Sequence, residues 1–138
     1  MRKRSRSREY ALQILYQLDI THDDCQKAIA RFWDSTEIEE VSLEIKSFTT
    51  ELVQGVVEHA AEIDEKLRRY ATNWQLERMA VVDRNILRLS ACELMYRVDI
   101  PPKVAINEAV DLAKRYSGIE AGKFVNAILD KIKIELKK

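Results

Sequence analysis

Five cations crowd the first eight residues: Arg2, Lys3, Arg4, Arg6 and Arg8, with Ser5 and Ser7 between them and no acid. Closely spaced guanidinium groups neutralise several phosphates and fork onto phosphate oxygens or base edges. The interleaved serines keep the segment polar, so it reads as an arm over residues 1–8 that is disordered alone and orders on RNA. A solvated chain end has the same composition, and contact with a membrane surface would use the same charge.

A second stretch with chemical content is Gly118, Ile119, Glu120, Ala121, Gly122, Lys123 and Phe124. It differs from a phosphate-binding P-loop in having three residues between its glycines and a phenylalanine after the lysine, where magnesium needs Ser or Thr. What remains is a helix start with Lys123 beside it, suited to one phosphate, and Phe124 either packed in the core or offered as a stacking platform for a base. Paired acids such as Glu39 with Glu40, or Glu62 with Asp64 and Glu65, read as solvated faces, and His22 and His59 as surface or satisfied residues. Cys25 and Cys92 are far apart without metal-ligand spacing, which suits reduced thiols in a cytosol. Asn107 and Asn126 sit inside helical patterns, where Asn is poor, and are expected to make tertiary hydrogen bonds that fix the last two helices together. No catalytic residue, metal, cofactor or small-molecule substrate is expected.

The elements that must carry these residues are helices. The chain has 138 residues, 46% hydrophobic and 33% charged, with 3 Gly and 2 Pro, too few turn residues for an all-β fold. The formal net charge is zero, so the +5 of residues 1–8 rests on a body of −5. Ala11, Ile14, Leu15 and Leu18 recur at helical spacing over 7–20. Ala28, Ile29, Phe32 and Trp33 mark a short second helix. Phe48, Leu52, Val56, Ala60, Ile63 and Leu67 follow a four-residue stride, with Gly55 and His59 as candidate breaks. A long helix is expected from Leu76 through Met79, Val82, Ile86, Leu89 and Met95, stopping before Pro101 and Pro102. Further helices are expected over 104–116, ended by Ser117 and Gly118, and over about 121–136. The expectation is an all-α, compact bundle of about seven helices: a single domain over 9–138, with two packed subdomains over about 9–71 and 74–138 that meet at Thr72 and Asn73. Gln13, Gln17 and Asp19 interrupt the first apolar stretch, so no membrane span or secretory signal is expected. The start imitates a transit peptide, but Glu9 comes early for one.

Three ordered blocks of this sequence resemble the NusB family. Arg8 and Glu9 followed by Ala11, Leu12, Gln13, Ile14, Leu15 and Tyr16 resemble its first helix. The run Leu52 to Val56, then Ile63, Asp64, Trp74 and Ile86 to Leu89, resembles its middle. The closing run is the most specific: Pro102 through Val110, Ala113 and Lys114, then Lys123 to Asn126 with Leu129 and Asp130. Gly122 and Ala127 depart from the pattern.

The resemblance implies an all-helical fold of two packed subdomains. It also implies a cytoplasmic, bacterial, non-enzymatic factor of transcription antitermination that binds single-stranded boxA-type RNA of ribosomal RNA operon transcripts. The partners implied are NusE, a ribosomal protein, and the RNA polymerase antitermination complex. By position it places Arg2, Lys3, Arg4, Arg6, Arg8, Arg88, Lys123 and Phe124 on RNA, and Tyr16, Asp83 and Glu120 on the partner protein. The same domain occurs in front of ribosomal RNA cytosine methyltransferases, for which 138 residues leave no room. The alternative from another class is a helical adaptor whose acidic body meets a basic partner without touching RNA.

Overall fold

The structure, a computed structural model, describes residues 2–35, 41–71 and 75–138. Within them lie seven α-helices and no strand: α1 Lys3–Thr21, α2 Cys25–Ser35, α3 Leu43–Glu58, α4 Ala60–Tyr70, α5 Val81–Tyr96, α6 Pro102–Ser117 and α7 Ile119–Glu135. Glu39, Glu40, Thr72, Asn73 and Trp74 lie outside the described residues.

Local chemistry sets the ends of these helices. α1 closes on His22, which takes the left-handed conformation (φ 58°) and donates its backbone N–H to the Leu18 carbonyl. Asp24 accepts the Lys27 N–H at the start of α2 at 3.1 Å, and Ser42 accepts the Ile45 N–H at the start of α3 at 3.3 Å. His59, one of the two expected breaks, separates α3 from α4, whereas Gly55 stays helical. Pro102 opens α6, where its missing N–H leaves no helical bond unmade. Gly118 (φ 104°, ψ 177°) alone joins α6 to α7, a backbone state that essentially only glycine adopts.

Several boundaries differ from the sequence expectation, among them the start of α6, at Pro102 rather than 104. The helix expected from Leu76 is instead a 3-10 turn, Leu76–Arg78, followed by α5 from Val81. Leu76 and Met79 are both buried, so the short turn satisfies the same three-residue apolar spacing that reads as continuous helix. The last helix begins at Ile119 rather than near Ala121. One difference has functional weight: α1 begins at Lys3, so the expected flexible arm is the first turns of the first helix. Ser7 fixes it there, donating to the Ile45 carbonyl of α3 at 3.1 Å from a fully buried position.

α5 is the axis of the molecule, touching α1, α3, α4, α6 and α7. One hydrophobic core runs from Tyr10 in α1 to Ile132 in α7, with Ile86, Leu87, Leu89 and Leu94 of α5 at its centre. The two halves expected on either side of residue 72 therefore share a single core. Tyr10, Phe32 and Trp33 lock α2 onto α1 edge to face, with ring centroids 5.1–5.8 Å apart.

Candidate nucleic-acid interface

The N-terminal turns of α1 place their cations by helical geometry, each side chain facing a different neighbour. Lys3 reaches α3, where its ammonium meets Glu44 at 3.0 Å. Arg4 lies over the Phe48 ring, 4.3 Å from its centroid, and 3.6 Å from Asp99 in the α5–α6 connection. Arg6 donates to the Tyr10 hydroxyl one turn on, at 2.9 Å. Arg2 precedes the helix and is exposed. The Lys3 and Arg4 pairs are solvent-exposed, so they hold their cations weakly and a phosphate can displace the acids.

Arg8 is the correction to this set. It is 2% exposed, and its guanidinium forks onto Glu93 of α5, itself 1% exposed, with nitrogens 2.7 and 3.0 Å from one carboxylate oxygen. Glu108 of α6 adds a second acid at 3.7 Å, and Ser5 donates to that carboxylate at 2.6 Å. Burial pushes the Glu93 carboxyl up, and the Arg8 bonds and charge oppose the rise. A side chain so enclosed has no edge left for RNA. It clamps the cationic turns of α1 onto the body.

Arg88 also turns inward. It bridges Asp64 of α4, at 2.8 and 3.1 Å, and Asp19 of α1, at 3.0 Å. Arg84 and Asn85 meet the same Asp19 oxygen at 2.6 and 2.8 Å. Partial burial raises the Asp19 carboxyl, but these donors and the charge of Arg88 outweigh it and hold the group below its usual range. Both edges of the Arg88 guanidinium are thus committed to joining α1, α4 and α5, and it does not extend the cationic surface.

Of the remaining expected residues, Asp83, Glu120, Lys123 and Phe124 lie near the α6–α7 joint. Asp83, Glu120 and Phe124 line a largely apolar pocket of about 280 Å³ with Met79 and Ala121. Phe124 falls in the second turn of α7 and is half-buried against the core, while one side contributes to this pocket. Its burial is therefore intermediate between a core position and an exposed ring. Lys123 is exposed and lies 3.5 Å from Glu120. Because α7 starts at Ile119, Lys123 stands a turn beyond the helix start and the expected one-phosphate cradle is not formed. Gly122 is buried against Lys114, where a Cβ would come within 2.9 Å of Cγ. Ser117 donates to Asp83 at 2.6 Å and Tyr116 to Glu9 at 2.5 Å, which ties this end of α6 to α5 and α1. Tyr16 is 39% exposed on α1.

Sequence reasoning passes over Glu93 and Asn85. Glu93 gives a signal, an acid inside the apolar run Ala91, Cys92, Leu94 and Met95. Asn85 is the mid-helix Asn that owes its place to a tertiary bond, buried on Asp19 and the Val81 carbonyl. Asn107 and Asn126, expected to play that part, are exposed. Among the described residues no group of His, Cys, Asp and Glu could hold a metal, and no helix is long and apolar enough to cross a membrane.

Fold and surface together define a small all-helical binding protein with a cationic helix end and a pocket shared by acids and an aromatic. Residues 5–133 match the NusB family model, and the chain belongs to the NusB family. It is 47% identical over 130 residues to the transcription antitermination protein NusB of Anaeromyxobacter dehalogenans, covering 94% of this chain and 89% of that one. Among solved structures it resembles NusB of T. maritima, with a TM-score of 0.86 and 35% identity over 98% of this chain and 92% of that one. A NusB chain solved with NusE and double-stranded RNA is similar to the same TM-score of 0.86, at 29% identity over 98% of each chain.

Proposed function

We propose that this chain is an RNA-binding antitermination factor of the bacterial cytoplasm. It binds boxA-type RNA of ribosomal RNA transcripts together with a NusE-type ribosomal protein in the RNA polymerase antitermination complex, and catalyses no reaction itself. The observation that supports this best is the end of α1, where Arg2 just before the helix, Lys3 and Arg4 are exposed and Arg6 is half-buried beside them, on a helix clamped in place by Arg8. A pre-ordered cationic end loses less entropy on meeting phosphates than a disordered arm would. Lys123 and Phe124 offer a second contact, a cation beside a half-buried ring on which a base can stack. Asp83 and Glu120, which share one pocket, and Tyr16, exposed on α1, are the proposed partner residues.

The test is the salt dependence of RNA binding by the triple variant Arg2→Ala, Arg4→Ala, Arg6→Ala. These side chains lie outside the core, so helical content by circular dichroism should be unchanged. Affinity should fall, and the slope of log affinity against log salt should become shallower by about one for each phosphate that the variant no longer neutralises. Unchanged RNA binding, with capture of the partner protein intact, would favour the adaptor reading instead.

A further inference from the structure

α1 and α6 both pack on α5 and point the same way, their long side chains meeting where Ser5 reaches Glu108 and, one turn of α1 later, Glu9 reaches Arg115. Between them lies an open cleft of about 410 Å³. Its α6 wall carries Asn107, Asp111 and Arg115 at four-residue steps, which puts them in one row on one helix face. Its α1 wall carries Arg2 and Ser5.

The polar groups of this cleft divide into those already committed and those not. Glu108 belongs to the clamp, bonded by Ser5 and facing Arg8. Arg115 is exposed and shared with Glu9 at 3.2 Å. Asp111 and Asn107 are exposed and enter no side-chain ion pair or hydrogen bond among the described residues. A cation therefore stands at each end of the cleft, and an acceptor and an amide lie between them with no side-chain partner among the described residues.

We propose that this α1–α6 cleft is a base-reading subsite for single-stranded RNA, specific for guanine. Arg2 and Arg115 hold the flanking phosphates, and Asp111 accepts the donors of an unstacked base with Asn107 beside it. The inference rests on the RNA-binding function proposed above and adds the substrate feature that is read. An ionised carboxylate only accepts hydrogen bonds. Among the four RNA bases, guanine alone presents two adjacent N–H donors, N1–H and N2–H, on its pairing edge, and these match the two oxygens of one carboxylate. Unpaired bases in RNA are read on that edge. An acid in a phosphate-binding cleft weakens binding to every RNA unless it accepts from a base, so charge alone and base reading predict opposite consequences for Asp111.

Three short RNAs separate them: an oligouridine, the same oligomer with one central guanosine, and the same with inosine, which keeps N1–H and lacks the N2 amino group. The wild-type protein should bind the guanosine oligomer about tenfold more tightly than oligouridine, with inosine between them. Asp111→Asn should bind oligouridine at least as well as wild type and lose the guanosine preference. The side chain is exposed, so the variant should melt as wild type does. Equal affinity of the wild-type protein for all three RNAs, or a preference that survives in Asp111→Asn, overturns the subsite while leaving RNA binding standing. If the wild-type protein, with a NusE-type protein present, binds none of the three and no boxA-type RNA either, the RNA-binding function falls and the subsite with it.

Discussion

At the scale of single residues, the position of Arg8 decides what it does. Its sequence neighbours Arg4 and Arg6 remain at the surface, whereas Arg8 is paired in the interior with Glu93. Removing one member of a buried pair leaves the other charged and desolvated, at a cost of about 3 to 5 kcal/mol. Arg8→Ala should therefore lower stability by about that much in urea unfolding. The loss should also depend on pH. Burial already raises the Glu93 carboxyl, and without Arg8 it rises further. Folded Glu93 then binds a proton that the unfolded chain has released, so stability falls as pH rises through that interval. The deficit of Arg8→Ala against wild type should be smaller at about pH 5 than at about pH 8. A deficit independent of pH would show that Glu93 is not the group left uncompensated. Residue types announced the cations but not their depth. Helical periodicity counted from Ala11 leaves Ser7 and Arg8 outside the core, because a polar side chain does not register as buried until its partner is known. Glu93 lies 85 positions away.

At the scale of elements, the helices themselves were legible, since apolar spacing, Pro102 and Gly118 mark most boundaries in local chemistry. Less legible were the places where two geometries satisfy one pattern, as at Leu76 and Met79. Gly118 carries the most local constraint. Its φ of 104° with ψ of 177° is closed to residues with a Cβ, although nothing lies within 4 Å of where a Cβ would be. Gly118→Ala should thus destabilise by backbone strain alone, by about 1 to 3 kcal/mol. A variant that unfolds with the wild-type midpoint would show that the α6–α7 joint relaxes freely. A second joint between elements reports on acid. Glu135 of α7 is bonded by Lys66, Tyr70 and Arg69 of α4, and these partners hold its carboxyl at about 2, from an ordinary value of 4.5. A depressed carboxyl stabilises above its unfolded value and loses that contribution as pH falls toward the folded one. Glu135→Gln should therefore flatten the decline in stability between pH 4.5 and about 2, and leave the pH dependence above 4.5 unchanged. The same steepness in variant and wild type would place the acid-sensitive group elsewhere.

At the scale of the whole molecule, the charge division between residues 1–8 and the rest was readable in the sequence, and the geometry gathers the cations that stay exposed at one end of α1. The cationic end of α1 lies at one end of the α1–α6 cleft, and the cluster of Asp83, Ser117 and Tyr116 lies at the other. On the proposed assignment RNA meets the cationic end of α1 and the partner protein meets Asp83 and Glu120, and the two ligands adjoin at the pocket that Phe124 shares with these acids. On the proposed binding mode the Lys3–Glu44 and Arg4–Asp99 pairs open when RNA binds, a cost that a second bound surface can offset. Binding of RNA and of a NusE-type protein should therefore be mutually reinforcing, and linkage requires the two enhancements to be equal, with typical factors of about 5 to 150. Isothermal titration of each ligand in the absence and presence of the other measures both sides of the cycle. Tyr16→Ala removes an exposed ring from the proposed partner face without changing charge. It should weaken the partner complex, and reduce RNA affinity only when the partner is present. Competition between the two ligands, or a Tyr16→Ala protein that binds RNA poorly by itself, would require the partner face and the RNA face to overlap on α1.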